Sequence, residues 1–253
     1  MKREAFDAGR LVPVVFFAGV LFSLPALRGS GRDVEVFANV GRFLERLFPP
    51  DLTVLSQTGS ALIETVRIAF LATFLAMLIS LPLSLAAART MSPRWMVLGG
   101  RTLMNGVRTV PSLIWAVLGV AAVGANPRAG VIALTFYSLG YLGKFFADAF
   151  ESIDMSAARA LKRSGASSVQ AFQYAVWPAA RPLVWSHGLW MLEYNIRSAA
   201  IIGYVGAGGL GTLLHSYQEQ YEWQRFCGVL CAIFLIVSIL DFVGEWARKR
   251  LTE

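Results

Sequence analysis

The sequence predicts an all-α membrane protein with about six transmembrane helices. Hydrophobic residues make up 56% of its 253 residues and charged residues only 15%, against roughly 45–50% and about 25% in soluble globular chains. The mean hydropathy is +0.56, and several apolar runs approach the about 20 residues that cross a bilayer as a helix. The apolar content excludes a disordered chain, and the presence of only two cysteines excludes a disulfide scaffold.

Six apolar segments are the candidate spans. They are residues 11–27, 62–86, 97–123, 129–150, 183–205 and 226–244. The first follows a basic start, as a signal peptide would, but no small-residue cleavage site follows it and five further spans remain, so we interpret it as a retained helix. We expect residues 1–253 to form a single transmembrane domain.

The basic residues predict the orientation of these spans. Of the 23 lysines and arginines, twelve fall on the side of the two termini, six on the opposite side and five within spans. Because lysine and arginine collect on the cytoplasmic side, both termini are predicted to be cytoplasmic. The net charge of +7 is therefore mainly a sign of topology, and we expect no nucleic-acid partner.

An amphipathic helix is predicted in the first external loop at about residues 36–48. Its apolar residues share one helical face, and they are Val36, Val40, Phe43, Leu44 and Leu47. Pro49 and Pro50 end the pattern. Two placements stay open, one on the membrane surface and one against the spans of the protein itself.

The loop at residues 151–182 carries the clearest local pattern. Asp154 is placed to cap a short helix, and Gly165 is placed to end it in the left-handed conformation. Ser167 and Gln170 then have the spacing of a capping box that starts a second helix. Two prolines are expected to close the segment, Pro178 and Pro182. The loop is interpreted either as a solvated connection or as a docking element for a cytoplasmic partner.

Charges within the predicted spans mark a second candidate site. Arg108 lies close to Ser112 on the third span, and the fifth span carries Glu193, Asn195 and Arg197. Such residues usually face a cavity or a partner group. Glu193 and Arg197 are four residues apart and could neutralise each other on one helix. Alternatively, Arg108 and Arg197 line an aqueous path that favours an anion.

Catalytic and nucleotide motifs are missing. The sequence contains no Walker A pattern, no H-E-x-x-H and no G-x-S-x-G, and its two histidines stand alone. Residues 206–211 fit G-x-G-x-x-G, but they follow an apolar helix instead of a strand. These glycines are better explained by a tight turn and a close approach of helices.

The loop at 151–182 resembles the coupling motif of ABC importer permeases. In that motif E-A-A and three further residues precede a glycine, and I-x-L-P follows after nine residues. Here Arg159, Ala160 and Leu161 stand at the E-A-A positions, followed by Gly165 and, after nine residues, by 175–178 with its terminal proline. The first position is basic instead of acidic. The resemblance implies a coupling site formed by Ser156, Arg159, Ala160, Leu161, Gly165, Ala166, Ser167 and Pro178.

Over about residues 62–244 the chain resembles the phosphonate, phosphite and hypophosphite importer permeases. The matching blocks are 108–116, 140–147, 165–167, 195–199 and 203–211. Methionine importer permeases carry a similar glycine-rich end to the fifth helix. The resemblance implies a type I ABC importer permease fold. The candidate translocation path is formed by polar residues of the spans that fall in these matching blocks, namely Arg108, Ser112, Asn195 and Arg197.

The resemblance also implies the partners of the chain. It predicts a second permease copy, giving a homodimer in the bacterial inner membrane, two cytoplasmic ATPase subunits and a periplasmic binding protein. ATP and Mg would be bound by the partner ATPase, with no cofactor or metal in this chain, which is not itself an enzyme. The expected cargo is a small phosphorus oxyanion. The alternatives are another small solute, such as an amino acid, and, more remotely, an ion-coupled secondary carrier.

Overall fold

The computed structural model describes residues 8–27 and 35–252, and all regular elements within these ranges are helices. The chain divides into two compact units, residues 1–45 and residues 46–253. Each unit is described by itself.

The first unit contains helix α1 (Ala8–Ser23), which continues into a 3-10 turn at Leu24–Leu27. Its apolar stretch, Val12–Ala26, is shorter than the about 20 residues that cross a bilayer. Helix α2 (Val36–Leu47) begins in this unit, and it confirms the amphipathic helix expected near residues 36–48.

The second unit contains nine further helices among the described residues. They are α3 (Leu55–Ala87), α4 (Arg94–Thr109), α5 (Ser112–Val123), α6 (Pro127–Ser152), α7 (Ser156–Arg163), α8 (Ser168–Ala171), α9 (Trp177–Ile202), α10 (Leu210–Glu219) and α11 (Trp223–Thr252). A π-helical segment, Phe172–Val176, joins α8 directly to α9.

Within the described residues, three helical segments are long and apolar enough to cross a membrane on their own: Leu52–Ala87, Pro127–Ser152 and Trp223–Arg250. Two more spans result if each bent helix pair counts as one: α4 with α5, whose axes differ by 85°, and Ser168–Val205 with α10, which differ by 41°. The described part of the chain thus supplies at most five spans, one fewer than predicted, because the apolar helix at 12–26 is too short.

The predicted third span, residues 97–123, consists of two helices that meet at a bend. Helix α4 ends at Thr109 and α5 begins at Ser112. Pro111 has no amide hydrogen to continue the helix, and its ring disfavours the helical conformation of the residue before it. Val110 accordingly adopts an extended backbone.

The core of the second unit is formed where α3 packs against α6. The face of α3 that is buried there is composed of small residues, among them Ala69, Ala72, Ala76 and Ser80. Small side chains allow the two backbones to approach closely, which is how helices associate where lipid removes the hydrophobic driving force. The Ser80 hydroxyl donates to the Leu139 carbonyl at 3.3 Å, so the contact also includes a polar bond between the helices.

The glycine-rich stretch at 206–211 forms the turn between α9 and α10. Gly206, Gly208 and Gly209 all have positive φ angles, between 73° and 89°. The Gly209 amide donates to Oε1 of Glu64 at 3.0 Å, and the next amide donates to the Thr65 hydroxyl at 2.8 Å. The expectation of a tight turn with close helix approach is confirmed.

Candidate functional site

The loop between α6 and α9 contains several hydrogen bonds between its own residues. The Asp154 carboxylate accepts the Ser156 amide at 2.9 Å and the Ser156 hydroxyl at 2.6 Å, directly before α7. The N-cap position itself is Met155, which makes no side-chain cap bond, so the expected N-cap at Asp154 is displaced by one residue. The two bonds from Ser156, the hydroxyl first, lower the pKa of Asp154 below its ordinary value, because they stabilise the charged form of the carboxyl.

A Schellman motif ends α7 at Gly165. The Gly165 amide donates to the Lys162 carbonyl at 3.1 Å, and the Ala166 amide donates to the Leu161 carbonyl at 3.0 Å. The φ angle of Gly165 is +92°, and a Cβ atom at this position would meet nothing within 4 Å. Glycine is therefore required here by backbone conformation and not by lack of space.

The predicted capping box then starts α8. Oε1 of Gln170 accepts the Ser167 amide at 2.8 Å, and the Ser167 hydroxyl accepts the Gln170 amide at 3.2 Å. The expected stop at Pro178 and Pro182 is wrong, since α9 runs through both. Pro178 lies in the first turn of α9, where a missing amide hydrogen costs little, and the π-helical segment before it carries the change of register.

The loop presents one face to solvent and the other to the protein core. Ala158 is buried and Leu161 packs against the same cluster, whereas Arg159, Ala160 and Ser167 are exposed. Two large apolar side chains also point outward, since Val169 and Tyr174 are 72% and 68% exposed. An outward-facing apolar pair on a self-capped, basic loop is suited to docking another protein.

Arg108 lies at the end of α4, directly before the bend into α5. It is half-buried, and its guanidinium carbon lies 4.8 Å from the centre of the Tyr141 ring on α6. A Cβ atom at Gly140 would lie 2.9 Å from the Arg108 Cγ atom, so the glycine is what allows Arg108 to approach α6. Ser112 is half-exposed at the first position of α5.

Asn195 is buried completely between three helices. Its Nδ2 atom donates to the hydroxyl of Thr73 on α3 at 2.9 Å and to that of Ser138 on α6 at 2.8 Å. The Ser138 hydroxyl lies 3.0 Å from Oδ1 of the same amide. The structure therefore places Asn195 as a hub between helices, facing no surface of this chain, and it does not bring Asn195 together with Arg108.

Arg197 and Glu193 do not pair with each other. Nη1 of Arg197 donates to Oδ1 of Asp241 on α11 at 2.8 Å. Glu193 instead accepts a hydrogen bond from Nη1 of Arg248, which lies about two helical turns after Asp241 on α11. The expected neutralisation along one helix is therefore wrong. The helix α11 runs beside α9 and offers each charge a partner of its own, which is a better geometry than the i,i+4 alternative.

The groove beside the Arg197–Asp241 pair is large and mainly apolar. It has a volume of about 820 Å³, and the side chains of α5, α9, α10 and α11 line it, including Leu113, Tyr204 and Phe234. The side chains of Arg197 and Asp241 are 42% and 47% exposed. Their charges are thus balanced before any ligand arrives.

Sequence reasoning missed the two α11 partners and the tyrosines of α6 and α9. Asp241 is an acidic residue inside a predicted span, seven residues before Arg248, and such a residue requires a partner. Tyr137 and Tyr141 are four residues apart on α6 and hence share a face. Both signals are visible in the sequence.

The comparisons with known proteins decide the family. Residues 80–253 match the family described as binding-protein-dependent transport system inner membrane component. This chain belongs to that family. It is the membrane-spanning permease subunit of an ABC importer, and the predicted fold class and function are confirmed at this level. Subunits of this kind are not themselves enzymes.

Individual relatives agree with this assignment. The chain is 31% identical to the phosphite transport system permease protein PtxC of Stutzerimonas stutzeri, over 98% of this chain and 88% of that protein. It is 32% identical to the phosphate-import permease protein PhnE of Mycolicibacterium smegmatis, over 85% of this chain and 41% of the longer relative. A chain from inward-facing structures of the MetNI methionine ABC transporter matches with a TM-score of 0.71 at 20% identity, over 80% of this chain and all of that one, which shows the shared fold.

Proposed function

We propose that this permease carries a small phosphorus oxyanion, a phosphonate, phosphite or hypophosphite, across the inner membrane. The names of its relatives support this cargo, and so does the charge of the candidate path. Arg108 has no carboxylate partner among the described residues. An uncompensated arginine on a bent span lowers the barrier for an anion and raises it for a cation.

Energy for transport is proposed to come from two ATPase subunits that dock on the loop between α6 and α9. The exposed residues of this loop include Arg159, Ala160, Ser167 and Val169. A periplasmic binding protein delivers the cargo to the opposite side, and a second copy of this chain completes the path as a homodimer. The ATP and Mg are bound by the ATPase partner.

The experiment for the cargo is uptake by cells that express the chain with its ATPase and binding protein. We expect uptake of ³³P-phosphite or ¹⁴C-methylphosphonate that depends on the chain and on ATP. Radiolabelled methionine serves as the amino-acid comparison. Uptake of methionine without either phosphorus compound would overturn the proposed cargo and leave the importer function standing.

Both termini and the α6–α9 loop are proposed to face the cytoplasm. In a background with Cys227 and Cys231 replaced by alanine, a single cysteine at Gln218 should react with an impermeant maleimide in intact cells. A single cysteine at Lys162 should react only after permeabilisation. Labelling of position 162 from outside would contradict the orientation, since the docking loop would then lie away from any ATPase.

A further inference from the structure

An aromatic strip connects Arg108 to the middle of α9. We define it by Arg108 on α4, Tyr137 and Tyr141 on α6, and Tyr194 with Trp190 on α9. The ring centres of Tyr137 and Tyr141 are 4.9 Å apart, those of Tyr137 and Tyr194 are 5.3 Å apart, and those of Trp190 and Tyr194 are 6.0 Å apart. The strip is therefore continuous across three helices.

The strip reaches the surface of the chain. Arg108, Tyr141 and Tyr194 are half-buried, and Trp190 is exposed. The four aromatic residues lie well inside α6 and α9, and Arg108 lies in the last turn of α4, so the exposed side of the strip is formed by helices. A polar strip at that depth has to face water, a ligand or a second subunit, because lipid offers no hydrogen bonds to it.

The charge of the strip is not compensated from within the chain. Within residues 35–250, no carboxylate lies in ion-pair range of the Arg108 guanidinium, whose one recorded interaction is with the Tyr141 ring. Arg197, by contrast, is occupied by Asp241. Of the two arginines of the candidate path, only Arg108 has guanidinium N–H groups that are available to bind an oxyanion.

The strip also contains a hydroxyl pair with a proton to spare. The oxygen atoms of Tyr137 and Tyr194 are 2.6 Å apart, and either one can be the donor. Whichever tyrosine donates, the hydroxyl hydrogen of the other is not used in that bond. One phenol hydrogen is therefore left to donate to a bound anion, next to the ring that lies under Arg108.

We propose that the strip is the recognition site for the oxyanion on the translocation path. Arg108 and the Tyr137–Tyr194 hydroxyl pair are two adjacent weak binding positions for the anion, which we call stations. The Tyr141 ring lies between the two stations and holds the Arg108 guanidinium in place. Phosphorus oxyanions fit these stations because their oxygen atoms accept bonds from guanidinium and phenol donors alike. This inference rests on the proposed cargo, which it refines by assigning recognition to the strip in place of the Arg197 groove.

Two weak stations suit transport better than one tight site. Arg108 supplies a single positive charge, and the tyrosines supply neutral donors. Binding is then favourable enough for the ion to enter and weak enough for it to leave. The positive charge of Arg108 also disfavours cations of similar size.

The test is the number of cargo ions carried for each ATP hydrolysed, measured with the complete transporter in proteoliposomes with ³³P-phosphite and ¹⁴C-methylphosphonate. We expect Arg108→Gln to lower uptake roughly tenfold or more, and Tyr194→Phe and Tyr137→Phe to lower it about threefold to tenfold, as loss of hydrogen bonds to a charged group would. ATP hydrolysis stimulated by the binding protein should fall much less, so uptake per ATP decreases.

Two matched variants outside the strip serve as controls. Arg128→Gln removes an exposed arginine at the start of α6, and Tyr221→Phe removes an exposed phenol from the turn before α11. Both should transport as the unchanged protein does. If the wild-type transporter takes up neither of the two phosphorus probes, the proposed cargo itself is overturned.

Two further outcomes would refute the strip while leaving that cargo intact. One is uptake by the strip variants at the wild-type level. The other is an equal fall of uptake, ATP hydrolysis and complex yield in all three variants, since this would show that the strip only supports the fold.

Discussion

The two ion pairs between α9 and α11 lead to a prediction that distinguishes the pairing in the structure from a Glu193–Arg197 pair along α9. If Glu193 paired with Arg197, neutralising both in Glu193→Gln/Arg197→Gln would remove one complete pair and leave no orphaned charge. In the structure the same double variant removes one member from each of two pairs, so that Asp241 loses the guanidinium of Arg197 and Arg248 loses the carboxylate of Glu193. We therefore expect it to be strongly destabilised.

The magnitude follows from burial. Removing one partner of a buried ion pair costs about 3–5 kcal/mol, because the other charge is left uncompensated. The Glu193 side chain is only 10% exposed and that of Arg248 is 26% exposed, so breaking this pair should cost about 3 kcal/mol. The Arg197–Asp241 pair is nearly half exposed, and water reduces its loss to about 1–2 kcal/mol. The double variant should thus lose about 4–5 kcal/mol.

A second double variant is the matched control. Arg197→Gln/Asp241→Asn neutralises a complete pair of the structure and leaves no orphan. Because a pair and its neutral replacement are often close in free energy, we expect a loss of less than about 1 kcal/mol, against about 1–2 kcal/mol for each single change. The difference between the doubles is about a factor of a few hundred in the unfolding equilibrium constant.

The assay is the free energy of unfolding of the purified permease in mixed micelles, titrated with denaturing detergent and followed by tryptophan fluorescence. The reasoning is refuted if Glu193→Gln/Arg197→Gln is as stable as the wild type while Arg197→Gln/Asp241→Asn is not. That order of stabilities would restore the pairing along α9.

Three further predictions concern the loop and the helix hub. Gly165→Val should lower ATP-coupled uptake without changing membrane insertion, because a β-branched residue at φ +92° is strained by roughly 1–2 kcal/mol. Its control is Gly59→Ala, at a position with free space and no positive φ. Asp154→Ala should speed hydrogen exchange at the Ser156 amide. Since the pKa of Asp154 is lowered from its ordinary value of 3.8, its wild-type protection should persist at that pH and be lost only as the pH falls further through the lowered value. Loss of protection above pH 3.8 would contradict this expectation. Asn195→Ala should reduce the unfolding free energy by about 2 kcal/mol, as three bonds between helices of about 0.6 kcal/mol each are lost, and unchanged stability with reduced uptake would instead favour a role in the path.

The local chemistry of the loop was predictable from the sequence. The glycine at 165 and the box formed by Ser167 and Gln170 depend on residues within a few positions of one another, and both are present. Asp154 bonds to Ser156 but stands one residue before the N-cap. The prolines were misinterpreted because the outcome depends on where the helix begins. Pro178 falls in the first turn of α9, where it favours the helix that it was expected to end.

The partners of the buried charges could not be read in the same way. Arg197 and Asp241 are 44 positions apart in the sequence, so their pairing depends on the register between α9 and α11. A pattern along one helix offers only the nearest candidate, which was Glu193. The same limit applies to Asn195, whose partners Thr73 and Ser138 lie on two other helices.

The bend in the third span was visible in the sequence but was given too little weight. Pro111 lies within a stretch whose overall hydropathy indicates a span, and hydropathy does not distinguish one straight helix from two at 85°. The aromatic strip depends directly on this bend, since the end of α4 brings Arg108 onto Tyr141.

The uninterrupted connection from α8 through the π-helical segment into α9 has a mechanical consequence. From Ser168 to Ile202 the chain is a helical rod of 35 residues, roughly 50 Å long at about 1.5 Å for each residue. Tyr194 and Asn195 are carried on its far half, and the capping box is at its near end. A tilt applied at the near end would displace Tyr194 at the far end. Docking on the proposed coupling loop would then be coupled to movement of the proposed recognition strip.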